Sequence, residues 1–165
     1  MRRVPFTGEE KESLRASLDR HRDVVRWKLD GLDDGELRRP MTPSGTNLLG
    51  LVKHLAGVEY GWFCETFGRG TEPLPFVQDD PDADLRVAPH ESTADIVAFY
   101  DRANAAANQV NRRARRRAHR DRLVRRNRHA ALGSHPHDRG NRAARRHMDI
   151  VRELIDGATG DHPES

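Results

Sequence analysis

Residues 46–63 read T-N-L-L-G-L-V-K-H-L-A-G-V-E-Y-G-W-F. Leu48, Leu51, Leu55, Val58 and Trp62 recur at steps of three and four, the period of one helix face. Leu49, Val52, Tyr60, Phe63 and Phe67 widen that face until little of the helix is polar, so this helix belongs at the centre of a helical domain. It is predicted to start at Thr46 and run to about Phe67, where Gly68 and Gly70 stop it.

Outward from this helix the chain keeps the same period. Thr7 and Glu10 form a capping box, T-G-E-E, ahead of Leu14, Leu18, Val25, Leu29 and Leu32. A first helix is therefore predicted, ended by Gly31 and the L-D-D-G stretch, with a loop over residues 36–45 around Pro40 and Pro43. Residues 71–91 carry four prolines and many acids and read as a long loop, a length that tends to be functional or mobile. A third helix is predicted from Ser92, with Asp95 three residues on, to about Val110. A last helix is clear only at its end, through Met148, Val151, Leu154 and Ile155, with Gly157 just past it. Three good helices and a truncated fourth, with no strand pattern, imply an all-α, up-down four-helix bundle occupying residues 1–160 as one domain, with a tail over residues 161–165.

Composition agrees with one acidic domain interrupted by something foreign. Residues 112–146 hold 14 basic residues and two acids, Asp121 and Asp138, a formal +12; the rest of the chain holds 15 bases and 24 acids, a formal −9. A sequence pI near 9.5 thus describes one segment rather than a domain. Within that segment Leu123, Val124 and Leu132 are the only apolar residues besides alanines, and no amphipathic period is visible, so the fourth helix is expected to be disrupted there. No apolar run reaches spanning length, the N-terminus shows no apolar h-region, and Cys64 is the single cysteine. A cytoplasmic protein without membrane contact or disulfides is expected.

The 46–63 stretch resembles the second helix of the DinB-like superfamily, and more narrowly the branch of mini-circle proteins and mycothiol-dependent enzymes. The ending H-M-D-I-V-R-E-L-I-D-G-A-T-G, residues 147–160, is similar to that branch's C-terminus. The resemblance covers residues 1–110 and 147–160 and implies a DinB-like bundle. It also implies a divalent metal, zinc first, and a low-molecular-weight thiol used in transfer to, or isomerisation of, a small-molecule substrate. A homodimer is compatible with it.

In that branch an apolar helix carrying E-x-x-x-H precedes the C-terminal string; here the same place reads H-A-A-L-G-S-H-P-H-D-R-G-N-R-A-A-R-R, residues 129–146. Degenerate codons for these residues, read from the second base of each triplet, can spell T-L-R-W-V-L-T-H-M-I-E-E-T-A-R-H-A-G. Each triplet allows several residues, so the decoding is not unique, but it restores an apolar helical pattern and joins residues 147–154 if one base was lost near Arg146. The expectation is that residues 112–146 are written out of frame, entered somewhere between Asn104 and Arg112.

The family site implied by the resemblance joins one histidine of the second helix to the E-x-x-x-H pair of the fourth. Residues at i and i+4 share a helix face, so such a pair grips an ion from one side, and three protein ligands leave open positions for water or a thiolate. A thiol bound to such a metal is deprotonated and nucleophilic at neutral pH. In this chain only His54 matches a ligand. The glutamate falls at Gly140 and the second histidine at Ala144 or Arg145, neither of which binds a metal, so the chain as written is expected to be impaired. Read without the resemblance, His54 is a satisfied histidine of the bundle interior.

Other candidates carry less. Glu59 stands either behind the ligand histidine or, as an acid on a helix, in solvent; Cys64 is a nucleophile or, with no histidine placed beside it, a buried structural thiol. Trp62 and Phe63 read as core rather than as a substrate platform. His147 matches a flanking position, and His135 and His137 form a solvated pair around Pro136. A competing function takes R-R-A-R-R-R-A-H-R-D-R-L-V-R-R-N-R, residues 112–128, as a nucleic-acid-binding arm working through phosphate contacts with steep salt dependence, although it lacks interleaved aromatics.

Overall fold

The computed structural model describes residues 10–124 and 137–159, with side chains described over 12–112 and 147–159. Among the described residues five α-helices follow one another: α1 (Glu10–Leu29), α2 (Asp34–Arg38), α3 (Leu48–Phe63), α4 (Thr93–Val124) and α5 (His137–Asp156). Short 3₁₀ turns occupy Glu65–Phe67 and Ala83–Leu85. Among the described residues there is no β-strand, only an isolated bridge between Val77 and Asp80. Over the described residues the chain is an all-α bundle, as its periodicity predicts.

The apolar helix is central. It packs most extensively against α4 and also touches α1, α2, α5 and the Ala83–Leu85 turn. Leu48, Leu49, Leu51, Val52, Leu55 and Tyr60 are buried, with Val25 from α1, Ile96, Tyr100 and Ala103 from α4, and Met148 and Val151 from α5 in the same cluster. Fully burying such side chains stabilises by about 1.5–3 kcal/mol each. Asn47 rather than Thr46 is the N-cap of α3, its side-chain oxygen accepting from the Gly50 amide at 2.7 Å. The predicted run to Phe67 is helical to Phe63 and then tightens into the 3₁₀ turn.

Several boundaries differ from the sequence reading for physical reasons. Residues 36–45 are not all loop: α2 forms on a capping box in which the Glu36 amide donates to Asp33 Oδ1 and the Asp33 amide to Glu36 Oε2, both at 2.8 Å, and Leu37 anchors it in the core. The third predicted helix does not stop near Val110 but continues as α4 to Val124. The expected disruption over residues 112–146 is therefore narrower in the backbone, since 112–124 continue α4 and 137–146 begin α5. Residues 125–136 and the tail beyond residue 159 lie outside the described residues. Leu14 and Leu154, assigned to apolar faces by period alone, are exposed.

The termini of the helices follow their chemistry. Ser92 caps α4, its hydroxyl accepting from the Asp95 amide at 3.0 Å. Gly157 adopts a left-handed φ of 77° after α5, and its amide closes on the Glu153 carbonyl at 2.8 Å. Arg152 of α5 donates to the Lys28 and Asp30 carbonyls at 2.7 and 2.9 Å, which satisfies the C-terminal end of α1, and Asp156 holds the guanidinium from the other side.

Candidate functional site

His54 sits on α3 between two glycines, Gly50 four residues before it and Gly57 three residues after it, so all three share one stripe of the helix. The long acidic segment lies over that stripe. A Cβ on Gly50 would stand 2.0 Å from the Leu85 carbonyl oxygen and 2.9 Å from the Arg86 amide nitrogen; one on Gly57 would stand 2.8 Å from Phe76 Cζ and 3.0 Å from Pro75 Cδ. Only glycine permits the backbone approach at Gly50, and a Cβ at Gly57 would push the Phe76 ring and Pro75 back. The helical glycines are thus seats for a second segment.

What the seats deliver is a carboxylate. His54 Nδ1 lies 2.5 Å from Oδ2 of Asp84, the residue before Leu85. The Asp84 side chain is only 4% exposed, while that of His54 keeps 33%. A carboxylate only accepts, so Nδ1–H donates to it, an arrangement that leaves the lone pair on Nε2 whenever the ring is neutral. Among the described residues nothing bonds Nε2. The Phe76 ring meets the imidazole edge-on, with centroids 6.4 Å apart.

Both ends of the acidic segment are fastened. At its start Glu72 accepts from Tyr60 at 2.8 Å and bidentately from Arg102 at 2.7 and 2.9 Å. The Arg102 guanidinium holds the Glu72 carboxyl below the usual carboxylate range, while burial, reinforced by Glu72, pushes the Tyr60 phenol up to about 12. At its end Glu91 accepts from Lys53 at 2.9 Å and from the Ala88 amide at 2.7 Å. Burial alone would raise the Glu91 carboxyl, but those two donors outweigh it and hold it low. Arg86 reaches Asp80 within the segment and the Ser44 carbonyl across from it. Residues 71–91 thus form a strap fastened near both ends.

The remaining candidates fall elsewhere. Glu59 is neither exposed nor at His54: it is 2% exposed and takes a bidentate contact from Arg22, Nε to Oε1 at 3.0 Å and Nη2 to Oε2 at 2.8 Å. It pins α3 to α1. Trp62 is a correction, being 44% exposed rather than core. Cys64 is a buried thiol, pushed up by burial, beside a cleft of about 350 Å³ lined by Arg69, Gly70, Ala106, Gln109 and Val110. His147 is exposed on α5; the His135 and His137 side chains lie outside the described ones. Asp84 is the residue that sequence reasoning missed. The signal for it was the pair of glycines in an otherwise strong helix, which marks a close backbone approach on either side of His54.

The donor set can be tested against a metal centre. His54 has the arrangement of a metal-ligating histidine, one ring nitrogen fixed by a carboxylate and the other without a partner among the described residues. Among the described residues, however, no group of three His, Cys, Asp or Glu side chains converges on one point. The described residues therefore fit one ligand of a centre and do not by themselves complete it.

No helix among the described residues is long and apolar enough to cross a membrane. No curated protein and no solved structure gives a significant match to the chain. A family model for mycothiol-S-transferases matches residues 13–139, which takes in the central helix, His54, the strap and Asp84. The chain belongs to the mycothiol-S-transferase family, a DinB-like family of helical bundles.

Proposed function

We propose that this chain is a thiol S-transferase centred on His54, joining a low-molecular-weight thiol, mycothiol first, to a small electrophile, with His54 as the one metal ligand the bundle retains. The observation that carries the reading is the His54–Asp84 contact on the central helix inside the matched region. A half-open imidazole whose Nδ1 is tied to a buried carboxylate offers Nε2 as a fixed donor atom. Zinc is the ion that an imidazole in this family setting suits first.

A second reading is favoured by the donor set. Because the described residues bring only His54 and Asp84 together, the pair can serve as a general base without a metal. Nε2 would take the proton of the incoming thiol as its sulfur bonds to the electrophilic carbon, the bond from that carbon to the electrophile's leaving group would break with its electron pair going to that group, and the Asp84 carboxylate would face the resulting imidazolium.

The experiment is thiol transfer to a small electrophile by the purified full chain, with and without added zinc and with and without a chelator, for wild type and His54→Ala. The metal reading expects zinc-dependent turnover that the chelator and His54→Ala both abolish. The dyad reading expects turnover that resists the chelator and is lost in His54→Ala. Turnover unchanged in His54→Ala overturns both. Absent turnover together with salt-sensitive retention on DNA replaces them with the nucleic-acid reading of residues 112–128, of which 112–124 continue α4.

A further inference from the structure

We infer that Asp84 is the positioning residue of the His54 site, and that residues 72–91 form a strap whose seating in the Gly50 and Gly57 notches fixes the ring in its Nδ1–H form. The inference deepens the proposed reading of His54, but it stands on geometry that does not depend on turnover.

Three independent features converge on one carboxylate. Asp84 is 3% exposed, and an unpaired buried carboxylate is costly, so its placement requires a donor; the donor provided is His54 Nδ1. The backbone at the next residue is fixed to α3 twice. The Leu85 carbonyl accepts from the Asn47 amide at 3.3 Å and occupies the space that any side chain at position 50 would need. Asp84 therefore cannot drift along the helix without clearing the Gly50 seat. The second seat works from the other side, where Pro75 and Phe76 fill the notch at Gly57 and put the Phe76 ring edge-on to the imidazole. Glu72 and Glu91 fasten the two ends, so the strap is held at four places around one histidine.

The consequence is chemical. A histidine side chain alone favours the Nε2–H form, which would turn an N–H toward any incoming thiol or ion. A carboxylate at Nδ1 reverses that preference and leaves Nε2 as an acceptor. Asp84 thereby determines which nitrogen of His54 is favoured to ligate or accept a proton.

The test is long-range proton–nitrogen NMR on the full chain with labelled histidine, at a pH well above the ordinary imidazole range, with the His54 signals assigned by their loss in His54→Gln. Wild type is expected in the Nδ1–H form, Asp84→Ala in the Nε2–H form, and Asp84→Asn, which keeps an acceptor oxygen, near wild type. A wild-type ring in the Nε2–H form, or an Asp84→Ala ring still in the Nδ1–H form, overturns the inference. The wild-type spectrum decides even if Asp84→Ala fails to fold. A chain without turnover whose His54 is Nδ1–H refutes the functional reading alone.

Discussion

Gly50→Ala is expected to destabilise the protein although it replaces glycine by the best helix former in the middle of a helix. In an unobstructed helix interior that exchange stabilises by about 1 kcal/mol. Here the new Cβ would lie 2.0 Å from the Leu85 carbonyl oxygen, and reaching ordinary contact requires the strap to withdraw by roughly 1.4 Å. The neighbour is backbone, so no rotamer change relieves it. Withdrawal weakens the Asn47–Leu85 hydrogen bond, worth about 0.5–1.5 kcal/mol, and the crowding itself costs about 1–3 kcal/mol. Offsetting these against the helix gain leaves a net loss of about 0.5–3.5 kcal/mol. Gly61 is the internal control, because a Cβ there meets nothing nearer than Glu65 Oε2 at 4.0 Å, so Gly61→Ala should stabilise by up to about 1 kcal/mol. Urea unfolding followed by far-UV circular dichroism measures both. If Gly50→Ala is as stable as wild type or more so, the strap is not seated on α3 and the account of the site fails.

Three further outcomes follow from the same contacts. Glu59→Ala removes the bidentate partner of the buried Arg22 guanidinium, whose Nη1 keeps Asp19 and Asn108, and should destabilise by up to about 3 kcal/mol in denaturant titrations, whereas Arg22→Met with Glu59→Leu should lose less; equal losses would contradict the pairing. Arg152→Ala leaves the Lys28 and Asp30 carbonyls without their donor and should cost about 1–3 kcal/mol, with faster amide exchange at the end of α1 and in α5; unchanged exchange there would show that Arg152 does not dock the helix. Because Glu72 and Glu91 are both held below their ordinary carboxyl values in the folded state, their contribution is fully present above the unfolded value of about 4.3 and fades as pH falls through the lower folded values. The stability gap between wild type and Glu72→Gln/Glu91→Gln should therefore be flat near neutrality and close in acid; a gap that widens in acid would reverse the sign.

The bundle was legible because burial is written in the period of the side chains. The 3.6-residue recurrence of Leu48, Leu51 and Leu55 could serve only a core helix, and these residues are buried. Period alone was a poorer guide at helix ends, where a residue can have the right phase and nothing opposite it: Trp62, Leu14 and Leu154 are exposed for that reason. Glu59 was misread by the converse logic, since a single acid on an apolar helix looks solvent-facing until the partner that neutralises it, 37 residues away in α1, is known. Asp84 was illegible in itself. It is one of several acids in a proline-rich loop, and only the seating of the backbone on Gly50 distinguishes it from its neighbours. Contacts of high sequence separation do not show in local pattern, and the His54–Asp84 pair is one.

The incompleteness of the site and the strangeness of residues 112–146 have one explanation if that segment is written out of frame. The helix that should face His54 then carries Gly140, Ala144 and Arg145 where the family pattern implies a glutamate and a histidine. The acidic balance of the rest of the chain and the formal +12 of this segment would likewise belong to two different readings of the same DNA. Sequencing the source DNA across codons 100–150 decides it. Restoration of an apolar helix with E-x-x-x-H would supply the two donors that His54 lacks, and the restored protein should bind zinc in a manner that His54→Ala abolishes. If the written frame stands, the donors are absent by composition, the metal reading of His54 is withdrawn, and the His54–Asp84 pair is left to act, where it acts at all, as a base.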